Sequence, residues 1–352
     1  VASILCVPME TDDTVDNCNN PEKERFFDTN AAKVLSSIHL SSQLGDSLAM
    51  TQFRISALMA GDLTKAVSRF CAQTTHNSQV LAGLTDAMFG RVVEFSKLPG
   101  WASFPQERNE EFARGLQRLG KIKDALENSE VILLVDAEYT SINPTLRLLA
   151  LCLMTVCNKQ STKVFYTYQA YLKITRDNLQ QDLEYASANK FGFGVKLVRG
   201  AYLVPERQSA RHLGYEDPVN ESFELTSSSY HSCLDLLLKH VALKQPLPVR
   251  VMVASHNEDT MRYTMSRMTA LDIPRDSCSV FFGQLYGMAD HVSFTLGHLG
   301  YRVYKSIPYG PVMETLPYLA RRAQENKAIL INARRERKLV AKALKDRLTL
   351  KA

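Results

Sequence analysis

Seven short apolar runs, rich in β-branched and aromatic residues, recur along the chain with helical segments between them. They are "TQFRISALM" (51–59), "EVILLVDAEYT" (130–140), "KVFYTYQAY" (163–171), "GVKLVRGAY" (194–202), "VRVMVASHN" (249–257), "CSVFFGQLYG" (278–287) and "YRVYKSIPYG" (301–310). Between them, stretches such as "NEEFARGLQRLGKIKDALEN" and "HSCLDLLLKHVAL" place apolar residues at helical spacing. Strand, helix, strand in repetition demands parallel pairing with helical crossovers. The series predicts an α/β fold, a distorted (β/α)8 TIM-like barrel rather than a doubly wound sheet, with seven strands assigned. The stretch at about 60–129 exceeds one crossover helix and predicts a helical insertion. A chain of 352 residues, 45% hydrophobic and 22% charged, can bury a core of that size.

Charge is uneven. Residues 1–30 hold seven Asp/Glu against two Lys/Arg, and residues 321–352 hold eleven Lys/Arg against three Asp/Glu. These counts predict a flexible acidic lead over 1–25, then one barrel domain over 26–352 that ends in a basic helix. The basic end could attract anionic lipid or nucleic acid, but a solvated helix face is the plainer account of most of those lysines. Aromatic residues that would stack bases are few there, which argues against nucleic acid. Seven cysteines without a CxxC pair point to a reducing compartment and to neither a disulfide framework nor a zinc ribbon. No HExxH or paired His/Cys spacing suggests a metal. The longest apolar run, "LLALCLMTVC" at 148–157, is too short to span a bilayer and reads as a buried helix, with Asn143 as its cap and Pro144 in its first turn. The chain starts at Val1 without an Arg-rich, acid-poor leader, so no transit peptide is expected in it.

Six runs finish on a polar group: Asp136, Gln169, Arg199, His256, Gln284 and Ser306. One such residue alone would be a turn residue. Six at equivalent places mark the C-terminal face of a parallel barrel, where active sites sit. Lys196 and Arg199, followed by Gly200 and Ala201, suit phosphate or a reduced anionic ring. The segment is neither a P-loop nor a dinucleotide fingerprint. Asp136 follows five apolar residues and needs a partner, for which Lys196 and Arg54 are the candidates. In "LPYLARRAQEN" (316–326), Tyr318, Arg321, Arg322 and Glu325 share one helix face, opposite Leu316, Leu319, Ala320, Ala323 and Leu330. Taken alone, that pattern describes a surface helix, although two guanidinium groups could also bind a carboxylate.

Together, "VDAE", "YQAYL", "KLVRGAY", "VASHN", "GQLYGM" and "PYGPVMETLPYLARRAQEN" make the chain resemble the proline dehydrogenase family from about residue 25 to the end. The resemblance implies an FAD enzyme that oxidises a cyclic imino acid by moving hydride from ring C5 to flavin N5. It implies a C-terminal helix over the site, a membrane quinone as electron acceptor, peripheral membrane association and a mitochondrial location on the matrix side of the inner membrane. By the same resemblance Asp136 and Lys196 are catalytic, and Ala137, Gln169, Arg199, Gly200, Ala201, Ser255 and His256 hold the flavin. Arg321 and Arg322 bind the substrate carboxylate, Tyr318 packs on its ring and Glu325 steadies the arginines. Tyr202 and Leu285 line the pocket. Arg54 stands where the family usually has a strand-one lysine. Ser306 stands where proline-specific members carry tyrosine, as it does in hydroxyproline-preferring animal members. Serine leaves room at ring C4 and offers a partner for a 4-hydroxyl. The expectation is oxidation of trans-4-hydroxy-L-proline to the hydroxylated pyrroline-5-carboxylate, with L-proline as the alternative substrate. A non-enzymatic binding module acting through the basic C-terminal helix is the remote alternative.

Overall fold

The computed structural model describes residues 1–9, 21–45, 48–71, 73–245, 247–325 and 327–349, with backbone only at 325 and 327–336. Eight parallel strands close into a barrel in chain order. They are β1 (Ala2–Cys6), β2 (Met50–Phe53), β3 (Ile132–Val135), β4 (Val164–Gln169), β5 (Gly194–Val198), β6 (Arg250–Ala254), β7 (Val280–Leu285) and β8 (Val303–Pro308). Around them run α1 (Pro21–Gln43), α2 (Gly61–Cys71), α3 (Ser78–Met88), α4 (Asn109–Glu127), α5 (Asn143–Cys157), α6 (Thr175–Ala188), α7 (Leu203–Leu213), α8 (Phe223–Ala242), α9 (Glu258–Ala270) and α10 (Asp290–His298). The chain ends with α11 (Val312–Glu325) and α12 (Lys327–Leu348). The crossover between β2 and β3 carries α2, α3 and α4.

The expected flexible lead is corrected at its start. Ala2–Cys6 is the strand that closes the barrel, paired with β2 on one side and with Tyr304–Pro308 of β8 on the other. The run "ASILC" is short, and the acidic residues beyond it dominate the composition of the whole segment. Backbone pairing on both edges, not composition, makes it a strand. The lead's residues 10–20 lie outside the described residues. The run at 51–59 is a strand only to Phe53, and Ile55–Ala57 turns as a 3-10 helix.

Inside the barrel, Ile4, Met50, Ile132, Leu134, Phe165, Met252, Phe281 and Tyr304 form a separate apolar plug. Every second residue of a strand points inward, so these side chains stack in layers beneath the C-terminal mouth. Outward residues pack against the helices in the larger core. Helix α5 is buried along most of its length, as its composition predicts. Asn143 does not cap it, however. Its side chain accepts from Glu138 N at 2.7 Å and donates to Glu138 O at 3.1 Å and to Gln169 Oε1 at 2.9 Å, fastening the loop after β3.

Ile4 is 3% exposed, within the plug. Ile4→Ala is therefore expected to cost about 2–5 kcal/mol in chemical denaturation, the usual penalty for emptying a core site. A flexible lead would show no change.

Candidate active site

The strand ends converge on a polar mouth. Lys196, inward on β5, places Nζ 2.7 Å from Asp136 Oδ1 and 3.3 Å from Gln52 Oε1. Both side chains of the ion pair are largely covered, at 14% and 21% exposure. Of the two candidate partners for Asp136, Lys196 makes the contact. Gln52 was not anticipated from sequence, yet it lies inward on β2 two residues before Arg54, so strand alternation signalled it.

Arg54 leaves the end of β2 into the same space. Burial alone would lower its pKa, but Tyr202, Glu138, Asp136 and Tyr318 together hold it above the ordinary value. Glu138 is another residue that sequence reasoning passed over, although it sits inside the "VDAE" motif, buried at 7% exposure. For Tyr202, burial outweighs nearby Arg54 and pushes the phenol up to about 12.

Helix α11 covers this mouth with its polar face inward. Tyr318 is buried, and its hydroxyl receives the Cys6 thiol at 3.4 Å. The Arg322 guanidinium lies 5.1 Å from the Tyr318 ring centroid. Arg322 is half-buried, while Arg321 stays exposed at the rim. The side chain of Glu325 lies outside the described residues. The apolar face of α11 points outward, with Leu316 61% and Met313 85% exposed. A surface helix would have turned the other way.

Ser306, on β8, is buried, and its Oγ meets no hydrogen-bond partner among the described residues. It pairs in register with Leu285 on one side and Ile4 on the other. Next to it, Lys305 Nζ holds Met288 O at 2.6 Å and Asp290 Oδ1 at 2.7 Å, bracing the loop after Leu285.

A second group lies toward β4 to β7. Arg199 gives Nη2 to Ser227 Oγ at 3.0 Å, and its Cζ sits 4.5 Å from the Phe223 ring centroid. Its Nε and Nη1 are buried with no hydrogen-bond partner among the described residues, and burial lowers its pKa against the pull of Tyr230. Gly200 has φ +138°, and a Cβ there would strike the Tyr171 ring at 1.8 Å. The backbone can thus pass where a side chain could not. Gln169 Nε2 reaches Glu138 O at 3.1 Å, and Ala137 is buried beside it in sequence. Ser255 Oγ accepts from Asn257 N at 3.2 Å, and His256 Nε2 accepts from Leu285 N at 3.0 Å. That bond leaves the His256 proton, when the ring is neutral, on Nδ1. Ala201 is half-buried next to Gly200.

The proline dehydrogenase family model matches residues 19–335. Hydroxyproline dehydrogenase of Xenopus laevis is 39% identical over 346 residues, 98% of this chain and 72% of that protein. The chain belongs to the proline dehydrogenase family. Human hydroxyproline dehydrogenase is 42% identical over 92% of this chain and 71% of its own length. Human mitochondrial proline dehydrogenase 1 is 46% identical over 69% of this chain and 40% of that protein. Proline utilization A of Bdellovibrio bacteriovorus shares the barrel, with a TM-score of 0.66 and 20% identity over 91% of this chain and 29% of that one.

Burial raises the pKa of Tyr166, Tyr168, Tyr171 and Tyr230 as well as that of Tyr202. The unfolded chain ionises its tyrosines near ~10, so their contribution to stability is complete below that pH. It is lost as pH rises from ~10 through the raised folded values. Tyrosinate absorbance and circular dichroism should therefore change together in an alkaline titration. Smooth ionisation of all tyrosines in a folded protein would contradict the burial argument.

Proposed function

We propose that this family member oxidises trans-4-hydroxy-L-proline to the hydroxylated pyrroline-5-carboxylate. The observation that carries the substrate choice is Ser306 Oγ, a buried hydroxyl at the mouth without a hydrogen-bond partner among the described residues. Such a group costs stability unless a ligand satisfies it. A ring 4-hydroxyl is the complement, and Leu285, paired with Ser306 in register, gives the apolar neighbour that a pyrrolidine needs. L-Proline is the second reading, supported by the 46% identity to a proline dehydrogenase.

Arg322 and Arg54 supply guanidinium groups for the substrate carboxylate, with Arg321 at the rim. Tyr318 covers the ring and keeps water out. Glu325 steadies the arginines by the family pattern alone. Lys196, held by Asp136, keeps a fixed positive charge at the floor of the mouth. The two Arg199 nitrogens that find no hydrogen-bond partner among the described residues fit an anionic cofactor, and Ala137, Gln169, Gly200, Ala201, Ser255 and His256 complete the set that would hold it. When bound, FAD supplies the two-electron acceptor for the ring oxidation.

A membrane quinone as final acceptor and a place on the matrix side of the mitochondrial inner membrane complete the proposal. The mitochondrial name of the human relative supports the location. Exposed Val312, Met313 and Leu316 beside the mouth support peripheral contact with a membrane. No helix among the described residues is long and apolar enough to cross one.

The test is kcat/KM for both substrates on flavin-loaded protein with an artificial acceptor. Hydroxyproline should be favoured by about tenfold or more, the worth of one satisfied buried hydroxyl. A preference for proline would overturn the choice. Ser306→Tyr should reduce turnover of hydroxyproline more than that of proline, and equal losses would remove the pocket argument.

A further inference from the structure

On β7 and β8 the outward residues Val280, Phe282 and Val303 belong to the larger core. The next outward positions break that pattern. They are Gln284 and Lys305, paired in register and only 3% and 6% exposed. For stability alone, an apolar pair would serve this layer as well or better, because a buried ammonium is costly unless its bonds are met.

Lys305 places all three of its contacts on the turn between β7 and α10. Its Nζ reaches Met288 O at 2.6 Å, Asp290 Oδ1 at 2.7 Å and Leu285 O at 3.4 Å. Gln284 ties the same layer to its neighbours. Its Nε2 donates to Ser255 O at 3.2 Å, and its Oε1 accepts from Ser293 Oγ of α10 at 3.0 Å. The turn so held is strained. Buried Ala289 has φ +53° and ψ 40°, a left-handed conformation that residues with a Cβ rarely adopt.

Leu285 stands at the root of this turn and is gripped on both sides. Its N–H donates to His256 Nε2 at 3.0 Å, from the β6 side. Its carbonyl accepts from Met288 N at 3.2 Å and faces Lys305, from the β8 side. Its side chain continues the inward row of Phe281 and lies in register beside Ser306. Leu285 and the unpartnered Ser306 Oγ therefore share one wall of the mouth.

We propose that Lys305, with Gln284 beside it, is a specificity-positioning residue that fixes Leu285 next to Ser306. It touches no substrate itself. With the turn braced, Leu285 keeps its place, and a pyrrolidine ring packed on it presents C4 to the Ser306 hydroxyl. With the turn loosened, the ring can shift away from Ser306. That loss falls on a substrate with a 4-hydroxyl and hardly on one without. The effect on substrate choice rests on the proposed oxidation, while the brace does not.

The experiment uses flavin-loaded protein and Lys305→Met, which removes the three contacts and keeps the length of the stem. Tyr286 is 66% exposed on the turn, so chymotryptic cleavage after it, read by peptide mass, reports how firmly the turn is held. Cleavage there should speed up about three- to tenfold. KM for hydroxyproline should rise about three- to tenfold with kcat nearly kept, and KM for proline should change less than about twofold. Adding Ala289→Gly should bring both readouts back to within about twofold of the parent, since glycine takes the left-handed conformation without strain. Asp290→Asn, which keeps the acceptor and loses the charge, should shift both readouts less and in the same direction. It carries the test should Lys305→Met not fold.

Unchanged cleavage after Tyr286, equal KM increases for both substrates, or a glycine that restores neither readout would overturn the proposal. Faster cleavage reversed by glycine, in a protein that oxidises neither imino acid, would count against the oxidation and uphold the brace.

Discussion

Pairing of Ala2–Cys6 with Tyr304–Pro308 is the interaction on which the site depends. A parallel sheet left open at β1 would expose two strand edges and leave the inner plug uncovered on one side. Closure also brings the two ends of the chain together. It sets Cys6 under α11 and Ser306 beside Ile4, although these residues are separated by nearly the whole sequence. Each strand then contributes its last inward residue to one mouth, and no single segment could assemble that set.

The mouth is expensive to build. Lys196, Asp136, Gln52, Glu138 and Arg54 are drawn together in a partly dry space, where every unpaired charge would be costly. The contacts described above offset part of that cost through close pairing. Supporting residues lie one step away: Asn143 fastens the loop that carries Asp136 and Glu138, and Lys305 fastens the loop after Leu285. Among the described residues, Arg199 Nε and Nη1 and Ser306 Oγ are three of the buried polar atoms without a hydrogen-bond partner, and they lie where a cofactor and a substrate are proposed to bind. A buried polar group without a partner calls for an explanation, and a ligand at the mouth supplies one for these two residues.

Helix α11 shows the same priority. Its apolar stripe faces outward and its Tyr318–Arg322 face turns in, because what lies beneath it is a polar mouth and not an apolar core. Periodicity reveals that a helix has two faces. It does not say which face meets the rest of the molecule.

Much of this was legible in the residues themselves. The alternation of strands and helices determined the barrel, since parallel strands need crossovers and seven in series leave few other closures. Polar groups ending apolar runs marked Asp136, Gln169, His256 and Ser306, because the strand period carries these residues inward with the plug. Arg199 and Gln284, read from the same pattern, are out of phase with it: Arg199 packs on α8, and Gln284 bonds Ser255 O and Ser293. Other features depended on contacts between distant segments. "ASILC" was hidden within an acidic stretch, and its strand character appears only once β2 and β8 flank it. Asn143 looked like a helix cap and became a loop clamp because Gln169 and Glu138 lie within reach. Cys6 gave no local signal, since its meaning comes from Tyr318, 312 residues away. The sequence by itself determined which elements form and which residue types reach their ends. The tertiary structure alone decided which of those ends touch, because hydrogen bonds and ion pairs across a barrel mouth depend on its closure and register.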